Sequence, residues 1–250
     1  MKLKIVTLNI WRGEIYKEAI KFLMQENADI IFLQEVYDGK DKNLPIPYRL
    51  YSFLSEMFPR HFSVFGAQFC DITEYGNIEE GNAIFSRFPI ISSKNTFFDV
   101  PYSVFNNRLK ERFDDNPQAI LQAKLKFGEG ILNTFCVHGV WGFDGKDNER
   151  RFTMAKVIKK ETAGVNNTIM AGDFNLVHNT QAVGQIEENL TSVFRNELVS
   201  TFNMKYKDNG GYATAAVDMV FVSSNISVLS KNCPQVDVSD HLPLVATLEL

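Results

Sequence analysis

The spacing of apolar residues near the start of the chain predicts three successive elements. Residues 1–10 are rich in Leu, Ile and Val and predict a strand, followed by a polar turn broken at Gly13. From Glu14 to Glu26 the apolar positions recur at helical spacing and predict a one-sided surface helix. The segment Asp29–Glu35 carries a continuous apolar run and ends in an acid, which is typical of a strand covered on both faces.

The rest of the chain predicts a β-rich centre between a few helices. Asp147–Glu161 has the pattern of a second helix stopped by Gly164, whereas Val100–Pro117 lacks periodicity and predicts a functional surface loop. The remaining strand signals lie at His61–Phe69, Gly81–Ser86, Ile90–Phe98, Ala119–Phe127, Gly130–His138, Thr168–Ala171, Ala215–Val222 and Leu242–Leu250. No repeat or linker interrupts residues 1–250, so we expect a single α/β domain in which two packed sheets have helices outside them.

The composition narrows the class of protein. With 45% hydrophobic and 22% charged residues, the chain fits a globular protein and not a disordered or fibrous one. A formal charge of -4 gives no general attraction to nucleic acids or anionic membranes. Three distant cysteines without a CxxC motif predict neither a disulfide framework nor a zinc site. Because we find no export signal and no run long enough to span a membrane, we expect a cytoplasmic monomer.

Polar side chains stand where the predicted strands end. They are Asn9, Glu35, His138, Asp173, Asn175, Asp218, Asp240 and His241. A buried acid costs several kcal/mol unless it is paired or holds a cation. If Glu35, Asp173 and Asp240 converge, they need a metal ion or a proton-transfer network. Oxygen ligands without thiolates favour Mg²⁺ or Mn²⁺ over zinc.

Each of these residue types also has an ordinary structural role. A Gly-Asp-Phe-Asn segment after an apolar strand often forms a turn in which Asp173 bonds its own backbone. His138 and His241 could be hydrogen-bonded core histidines, and Asn9 could cap the following turn. Asn82 could equally be a turn residue. Only the arrangement of these residues in space separates the two readings.

Five motifs in a fixed order give the chain a family resemblance. They are Thr7-Leu8-Asn9, Leu33-Gln34-Glu35-Val36, Gly81-Asn82-Ala83-Ile84, Gly172-Asp173-Phe174-Asn175 and Ser239-Asp240-His241-Leu242-Pro243. Together with His138 and Asp218 they resemble the endonuclease/exonuclease/phosphatase superfamily of metal-dependent phosphoesterases. The resemblance implies a four-layer, DNase I-like α/β-sandwich with one central site.

The same resemblance implies a role for each site residue. Glu35 would be the principal metal ligand, assisted by Asn9 and, directly or through water, by Asp240. Asp173 would align or deprotonate the attacking water. The remaining residues would act on the phosphoryl group: Asn175 and His241 as hydrogen-bond donors, Asp218 as the partner that orients and charges His241, and His138 as a second donor or general acid.

Departures from the family's branches limit what substrate can be inferred. Val36-Tyr37 follows Glu35, where abasic-site endonucleases usually carry Thr-Lys or Ser-Lys. Met170-Ala171 precedes the Gly-Asp motif, where inositol polyphosphate phosphatases carry a Trp. Many relatives also have an Arg where Pro117-Gln118 begins a strand, and its absence leaves substrate anchoring there in doubt.

Substrate contacts are inferred from position alone. Our candidates are Asn82, Arg112, Trp141 and Arg150. If Asn82 is functional, either Asn82 or Glu80 would hold the His138 ring. The sequence therefore predicts a Mg²⁺- or Mn²⁺-dependent hydrolase of phosphate esters, either a phosphodiesterase or nuclease or a phosphatase. Its substrate could be a nucleic acid, a small molecule or a lipid. The alternative is a non-catalytic module that binds a phosphorylated or nucleic-acid ligand.

Overall fold

The computed structural model describes residues 1–107, 115–207 and 215–250. Within these ranges the strands are β1 Lys2–Asn9, β2 Ile30–Tyr37, β3 Phe62–Thr73, β4 Gly76–Ser86, β5 Ile90–Phe97, β6 Val104–Phe105, β7 Ala119–Phe127, β8 Gly130–His138, β9 Thr168–Asp173, β10 Thr191–Ser192, β11 Asp218–Val222, β12 Ser227–Asn232 and β13 Leu244–Glu249. The α-helices are α1 Tyr16–Glu26, α2 Leu50–Met57, α3 Glu149–Thr162 and α4 Gln181–Glu187, with 3₁₀ turns at Trp11–Gly13 and Ile46–Arg49.

The strands form two mixed sheets. The first has the order β12-β13-β1-β2-β4-β3-β6, with β1 parallel to β2 and β3 parallel to β6. The second has the order β10-β11-β9-β8-β7-β5, with β8 parallel to β9. The remaining pairings are antiparallel. At the centre of each sheet, therefore, two neighbouring parallel strands have their carboxyl ends at the same edge.

Three packed clusters of buried side chains separate four layers. Between the sheets, apolar residues of β1 and β2 such as Ile5 and Phe32 meet residues of the second sheet such as Ala171. The outer face of the first sheet packs on α1 and α2. The outer face of the second packs on α3 and α4. Two packed mixed sheets flanked by helices confirm the predicted fold class.

Several elements differ from those that the sequence pattern predicts. The helix predicted from Glu14 begins at Tyr16. Strand β12 was not predicted because it is an exposed edge strand without a buried face, so it carries no alternating pattern. The Val100–Pro117 segment, predicted as a loop, contains the short strand β6, and its residues 108–114 lie outside the described residues. The short helices α2 and α4 were also missed.

Strand register brings the polar strand ends together. His138 lies opposite Asp173 across β8 and β9, and Asp173 lies opposite Asp218 across β9 and β11. In the other sheet, Asn9 lies opposite Gln34, the residue before Glu35. The same edge of both sheets therefore presents the acids, amides and histidines that the sequence places at strand ends.

Among the described residues, no helix combines the length and the apolar composition that a membrane crossing requires.

Gly172 fixes how closely β9 approaches β8 just before Asp173. Its φ is +151°, and a Cβ atom there would lie 2.0 Å from the backbone oxygen of Val137. We expect Gly172→Ala to lower the free energy of unfolding by about 2–4 kcal/mol, through steric overlap and backbone strain. Urea denaturation followed by circular dichroism measures this.

The matched control is Gly184→Ala in α4, where an added Cβ meets nothing within 4 Å. Because alanine favours the helix, this variant should gain up to about 1 kcal/mol. Equal effects of the two substitutions would contradict the close approach at Gly172.

Candidate active site

An irregularity in β2 directs Glu35 toward the cleft between the sheet edges. The pairing of β2 with β4 shifts between Leu33 and Val36, and Glu35 has a φ of +55°. A bulge re-aims a side chain that would otherwise follow the strand alternation, and a positive φ is costly for a residue other than glycine. The fold therefore holds Glu35 in a strained conformation, and its side chain lines the cleft.

Asn9 joins the acids of the two sheets. Its side-chain nitrogen donates to Glu35 Oε1 at 3.0 Å and to Asp173 Oδ2 at 3.2 Å. Its oxygen accepts from the backbone N–H of Trp11 at 3.1 Å. A metal ligand would present that oxygen, and its second lone pair is not used by the bond from Trp11, so the ligand role of Asn9 stays a prediction. In this structure Asn9 also fixes the separation of two carboxylates.

Asp218, His241 and Asp173 form a row of buried charges. His241 Nδ1 lies 2.8 Å from Asp218 Oδ2, and His241 Nε2 lies 3.8 Å from Asp173 Oδ2. Burial opposes the charging of His241, but Asp218 and Asp173 outweigh it and raise the pKa of the imidazole to about 9. His241 is therefore an imidazolium at neutral pH. Burial raises the pKa of Asp173, against the effect of His241.

The Gly-Asp-Phe-Asn segment has both a structural and a positioning role. The backbone N–H of Asn175 donates to Asp173 Oδ1 at 2.8 Å, which is the turn expected of an Asp at this position. Asn175 has a φ of +53°, and its side chain donates to the carbonyl of Gly139 at 3.1 Å. The turn thus immobilises Asp173 beside His241 and ties it to the end of β8.

Gln68 holds the His138 ring, in place of the Asn82 or Glu80 that the sequence suggested. Its Nδ1 lies 3.3 Å from Gln68 Oε1, and Gln68 in turn donates to Gln118 Oε1 at 2.6 Å. His138 Nε2 lies 3.9 Å from Glu35 Oε1 and 4.0 Å from Asp173 Oδ2. Burial lowers the pKa of His138, so the ring is mainly neutral at pH 7.

The expectation for Asn82 is therefore corrected. Asn82 is fully buried, and its side chain donates to the carbonyls of Ala119 and Cys136 at 3.0 and 3.4 Å. It ties the first sheet to the second and does not hold His138. Glu80 does not hold the ring either, because its carboxylate accepts from Arg12 at 3.0 Å.

Arg12 is a site residue that the sequence analysis missed. Its guanidinium lies 3.0 Å from Glu80 and 3.3 Å from Glu35, and its backbone has a φ of +51°. Burial opposes the ionisation of Glu35, but Arg12 overcomes it and lowers the pKa of that carboxyl to about 2. Nothing in the sequence pairs an arginine in a turn after β1 with acids on β2 and β4, so no local signal could have found it.

Lys207 is the second missed cation. Its ammonium donates to Asp240 Oδ2 and lies 5.1 Å from the centre of the Phe202 ring. Asp240 is buried, and the hydroxyl of Ser239 also lies 3.3 Å from its Oδ1. Two acids that were predicted as metal ligands, Glu35 and Asp240, thus each contact a basic side chain.

Of the residues predicted to contact the substrate, Trp141 lines the cleft and Arg150 does not. Trp141 lines the cleft, as does Trp11, whose ring lies 5.9 Å from that of Tyr206. Arg150 does not line it and instead donates to Asp99 and to the carbonyl of Asn116, both at 3.1 Å. Arg112 lies outside the described residues. The cleft has a volume of about 270 Å³ and is lined by Trp11, Arg12, Glu35, Glu80, Asn107, Asn116, Gln118, His138, Trp141, Lys207 and Asp240.

Two groups of residues could hold a divalent cation. In the first, Glu35 Oε2 is buried and, although Arg12 lies nearby, accepts no hydrogen bond from the described residues. This oxygen and Asp240, on the same cleft, offer the hard ligands that Mg²⁺ and Mn²⁺ prefer. In the second, ligand atoms of Asp173, Asp218 and His241 lie within 4.8 Å of one another. A metal ion bound there would have to displace the proton that Asp218 and Asp173 stabilise on His241, which makes the second group the poorer fit.

Comparisons with known proteins agree on the fold. The structure aligns with an endonuclease/exonuclease/phosphatase of Bacteroides vulgatus at a TM-score of 0.73 and 18% identity, over 100% of this chain and 99% of that one. A mannosyl-6-phosphatase of Bacteroides thetaiotaomicron gives 0.70 and 17%, over 99% and 100%. TDP2 of D. rerio, in a complex with a single-stranded DNA product, gives 0.69 and 16%, over 100% and 99%. The search of curated proteins found no match.

The sequence itself provides the family assignment. The model of the Endonuclease/Exonuclease/phosphatase family matches residues 6–241, a span that runs from the middle of β1 to His241 and includes all the polar strand ends described above. Members of this family hydrolyse phosphate esters and are generally dependent on divalent metals. The chain belongs to the Endonuclease/Exonuclease/phosphatase family.

Proposed function

We propose that this protein is a Mg²⁺- or Mn²⁺-dependent phosphoesterase that uses water as its nucleophile. The observation that carries the proposal is the meeting of two differently charged groups at one edge of the sheets. Glu35 and Asp240 supply anionic oxygens, while His241 supplies a buried positive charge between Asp218 and Asp173. A site for a phosphate ester needs both, since it must hold a cation and must also neutralise the anionic phosphoryl oxygens.

Glu35 and Asp240 would hold the metal ion. When bound, the ion would polarise the phosphoryl group and stabilise charge on the departing oxygen. Asn9 would keep Glu35 and Asp173 at a fixed separation by donating to both. The strained backbone of Glu35 supports this assignment, because such conformations persist where function requires them.

Asp173 would align the attacking water and accept its proton. The raised pKa of Asp173 makes it a better base than an exposed carboxylate, and the backbone N–H of Asn175 holds its other oxygen. His241 would donate from Nε2 to a phosphoryl oxygen, with its charge maintained by Asp218 on Nδ1. Asn175 would be a further donor to the same group.

His138 would act beside them as a hydrogen-bonding partner of the phosphoryl group. Its neutral state at pH 7 makes it a weaker candidate for general acid than the sequence suggested. The Gln68 contact would set which ring nitrogen carries the hydrogen. Within this arrangement, in-line attack needs no covalent intermediate on the protein.

The first test is the exchange of Asp173 for Asn. Hydrolysis would be followed for bis-p-nitrophenyl phosphate, p-nitrophenyl phosphate, single- and double-stranded oligonucleotides and sphingomyelin, each with Mg²⁺, Mn²⁺ or EDTA. We expect at least one of these esters to be hydrolysed by the wild type. Asp173→Asn should lower kcat by about 10²–10⁴, because the water loses its base. EDTA should abolish the reaction.

The matched control is Asp237→Asn, the same change at an exposed acid that pairs with Lys205. It should leave the rate within about two-fold of the wild type, as is usual for a surface site. Full activity of Asp173→Asn, or hydrolysis that persists in EDTA, would contradict the proposal. Binding of a phosphate ester without turnover would favour the non-catalytic alternative.

A second test uses the charge on His241 in the metal-free protein. Folding raises the pKa of His241 to about 9, above its value of about 6.5 in an unfolded chain. The resulting stabilisation is complete below pH 6.5 and is lost as the pH rises through 9. The difference in unfolding free energy between the wild type and His241→Gln should therefore shrink between pH 6.5 and pH 9.5, as measured by urea denaturation in EDTA.

The comparison of two proteins at each pH cancels the titration of other groups. A difference that stays constant over this range would show that His241 is not charged by Asp218 and Asp173. A difference that grows with pH would contradict the sign of the pKa shift.

A further inference from the structure

Lys207 contacts Asp240, a carboxylate that the proposed metal ion would need as a ligand. Its ammonium donates to Asp240 Oδ2, and the two side chains are 32% and 6% exposed. Glu35 and Asp173, in addition to Asp240, favour the charged form of the amine despite its partial burial. The ammonium therefore lies in the combined field of three site acids.

A divalent cation at Glu35 and Asp240 would stand next to this ammonium. A divalent ion repels a neighbouring ammonium twice as strongly as a single positive charge at the same distance would, and burial weakens the screening by water. Contact between Lys207 and Asp240 and full occupancy by the metal are thus in competition. One of the two cations must give way.

The two basic residues of the site differ in how far they can move. Arg12 is anchored at Glu80 by its Nε at 3.0 Å, and its backbone sits in a left-handed turn next to Trp11, which has a φ of +49°. Lys207 carries its charge on a flexible four-carbon stem, near the face of Phe202 at 5.1 Å. Lys207 is therefore the cation that can leave its carboxylate.

We propose that Lys207 is a displaceable counter-ion of the metal site. In the metal-free protein it neutralises Asp240, and when a divalent ion takes Asp240 the ammonium moves to the phosphoryl oxygens of the substrate, in the same cleft. This inference rests on the proposed function, because it assumes that the cleft binds both a metal ion and a phosphate group. It makes Lys207 a substrate-binding residue that also sets the affinity for the metal.

The proposal predicts that removal of the Lys207 charge has opposite effects on the affinity for the metal ion and on the affinity for phosphate. Without its ammonium, Lys207→Met no longer competes for Asp240, so the metal should bind more tightly. The same variant has lost a cation for the phosphate, so the anion should bind more weakly. A residue with a purely structural role would weaken both.

The test is calorimetry with two probes, Mn²⁺ alone and inorganic phosphate added to the Mg²⁺-saturated protein. For Lys207→Met we expect the Kd of Mn²⁺ to fall roughly three- to ten-fold and the Kd of phosphate to rise about ten-fold or more, as interactions near 1 kcal/mol imply. Lys207→Arg keeps the charge and should restore both values to within about three-fold of the wild type.

The matched control is Lys205→Met, which removes an exposed lysine that lies two residues before Lys207 and pairs with Asp237, and it should change neither Kd. A Kd for Mn²⁺ that is unchanged or raised in Lys207→Met, or a Kd for phosphate that is unchanged, would overturn the inference alone. A wild-type protein that binds no Mn²⁺ would overturn the proposed function and this inference with it. The two failures are thus distinguishable.

Discussion

The arrangement of this site depends on one constraint, that buried carboxylates must be compensated by positive charge. Asp173, Asp218 and Asp240 are each at most 4% exposed, and the side chain of Glu35 is 15% exposed. An isolated ionised carboxylate in such an environment would cost several kcal/mol or would take up a proton. The structure meets the constraint with three cations from different parts of the chain, which are His241, Arg12 and Lys207. Each of these cations restricts where an acid can point and what else it can bind.

The same constraint gives two groups of site residues different chemistry. In the Asp218–His241–Asp173 row, two acids surround one imidazolium, whose Nε2 N–H can donate to an anionic group without the removal of a basic partner. In the other group, Arg12, which Glu80 anchors, balances Glu35, and Lys207, which we propose a metal ion displaces, balances Asp240. The proposed places for an anion and for a cation thus lie near the ends of neighbouring strands.

The sequence predicted the elements whose signal is local. Polar residues at the ends of apolar strands pointed to His138, Asp173 and Asp218, because strand register alone brings these ends together. It could not predict Arg12, Gln68 or Lys207. Their partners lie 20 or more residues away, and neither hydrophobic spacing nor turn chemistry encodes such contacts. For Asn82, the sequence shows the motif but does not show which way the side chain points. Only the packing of the two sheets shows that its amide faces backbone carbonyls.

The structure also gives a role to Gln118, which stands near the position where many relatives have an arginine. Gln118 is buried and accepts from Gln68, which holds the His138 ring. The position therefore supports a histidine and adds no charge to the cleft. The positive charge near Glu35 comes instead from Arg12, which reaches the site from the turn after the first strand.

The central claim is that Glu35 and Asp240 form the metal site of a phosphoesterase. The most direct measurement is a crystal structure of the protein soaked in Mn²⁺, with anomalous diffraction data to locate the ion. The account predicts an anomalous peak within bonding distance of a Glu35 carboxylate oxygen, with Asp240 bound directly or through a water molecule. A peak between Asp173, Asp218 and His241, or no peak in the cleft at saturating Mn²⁺, would contradict it.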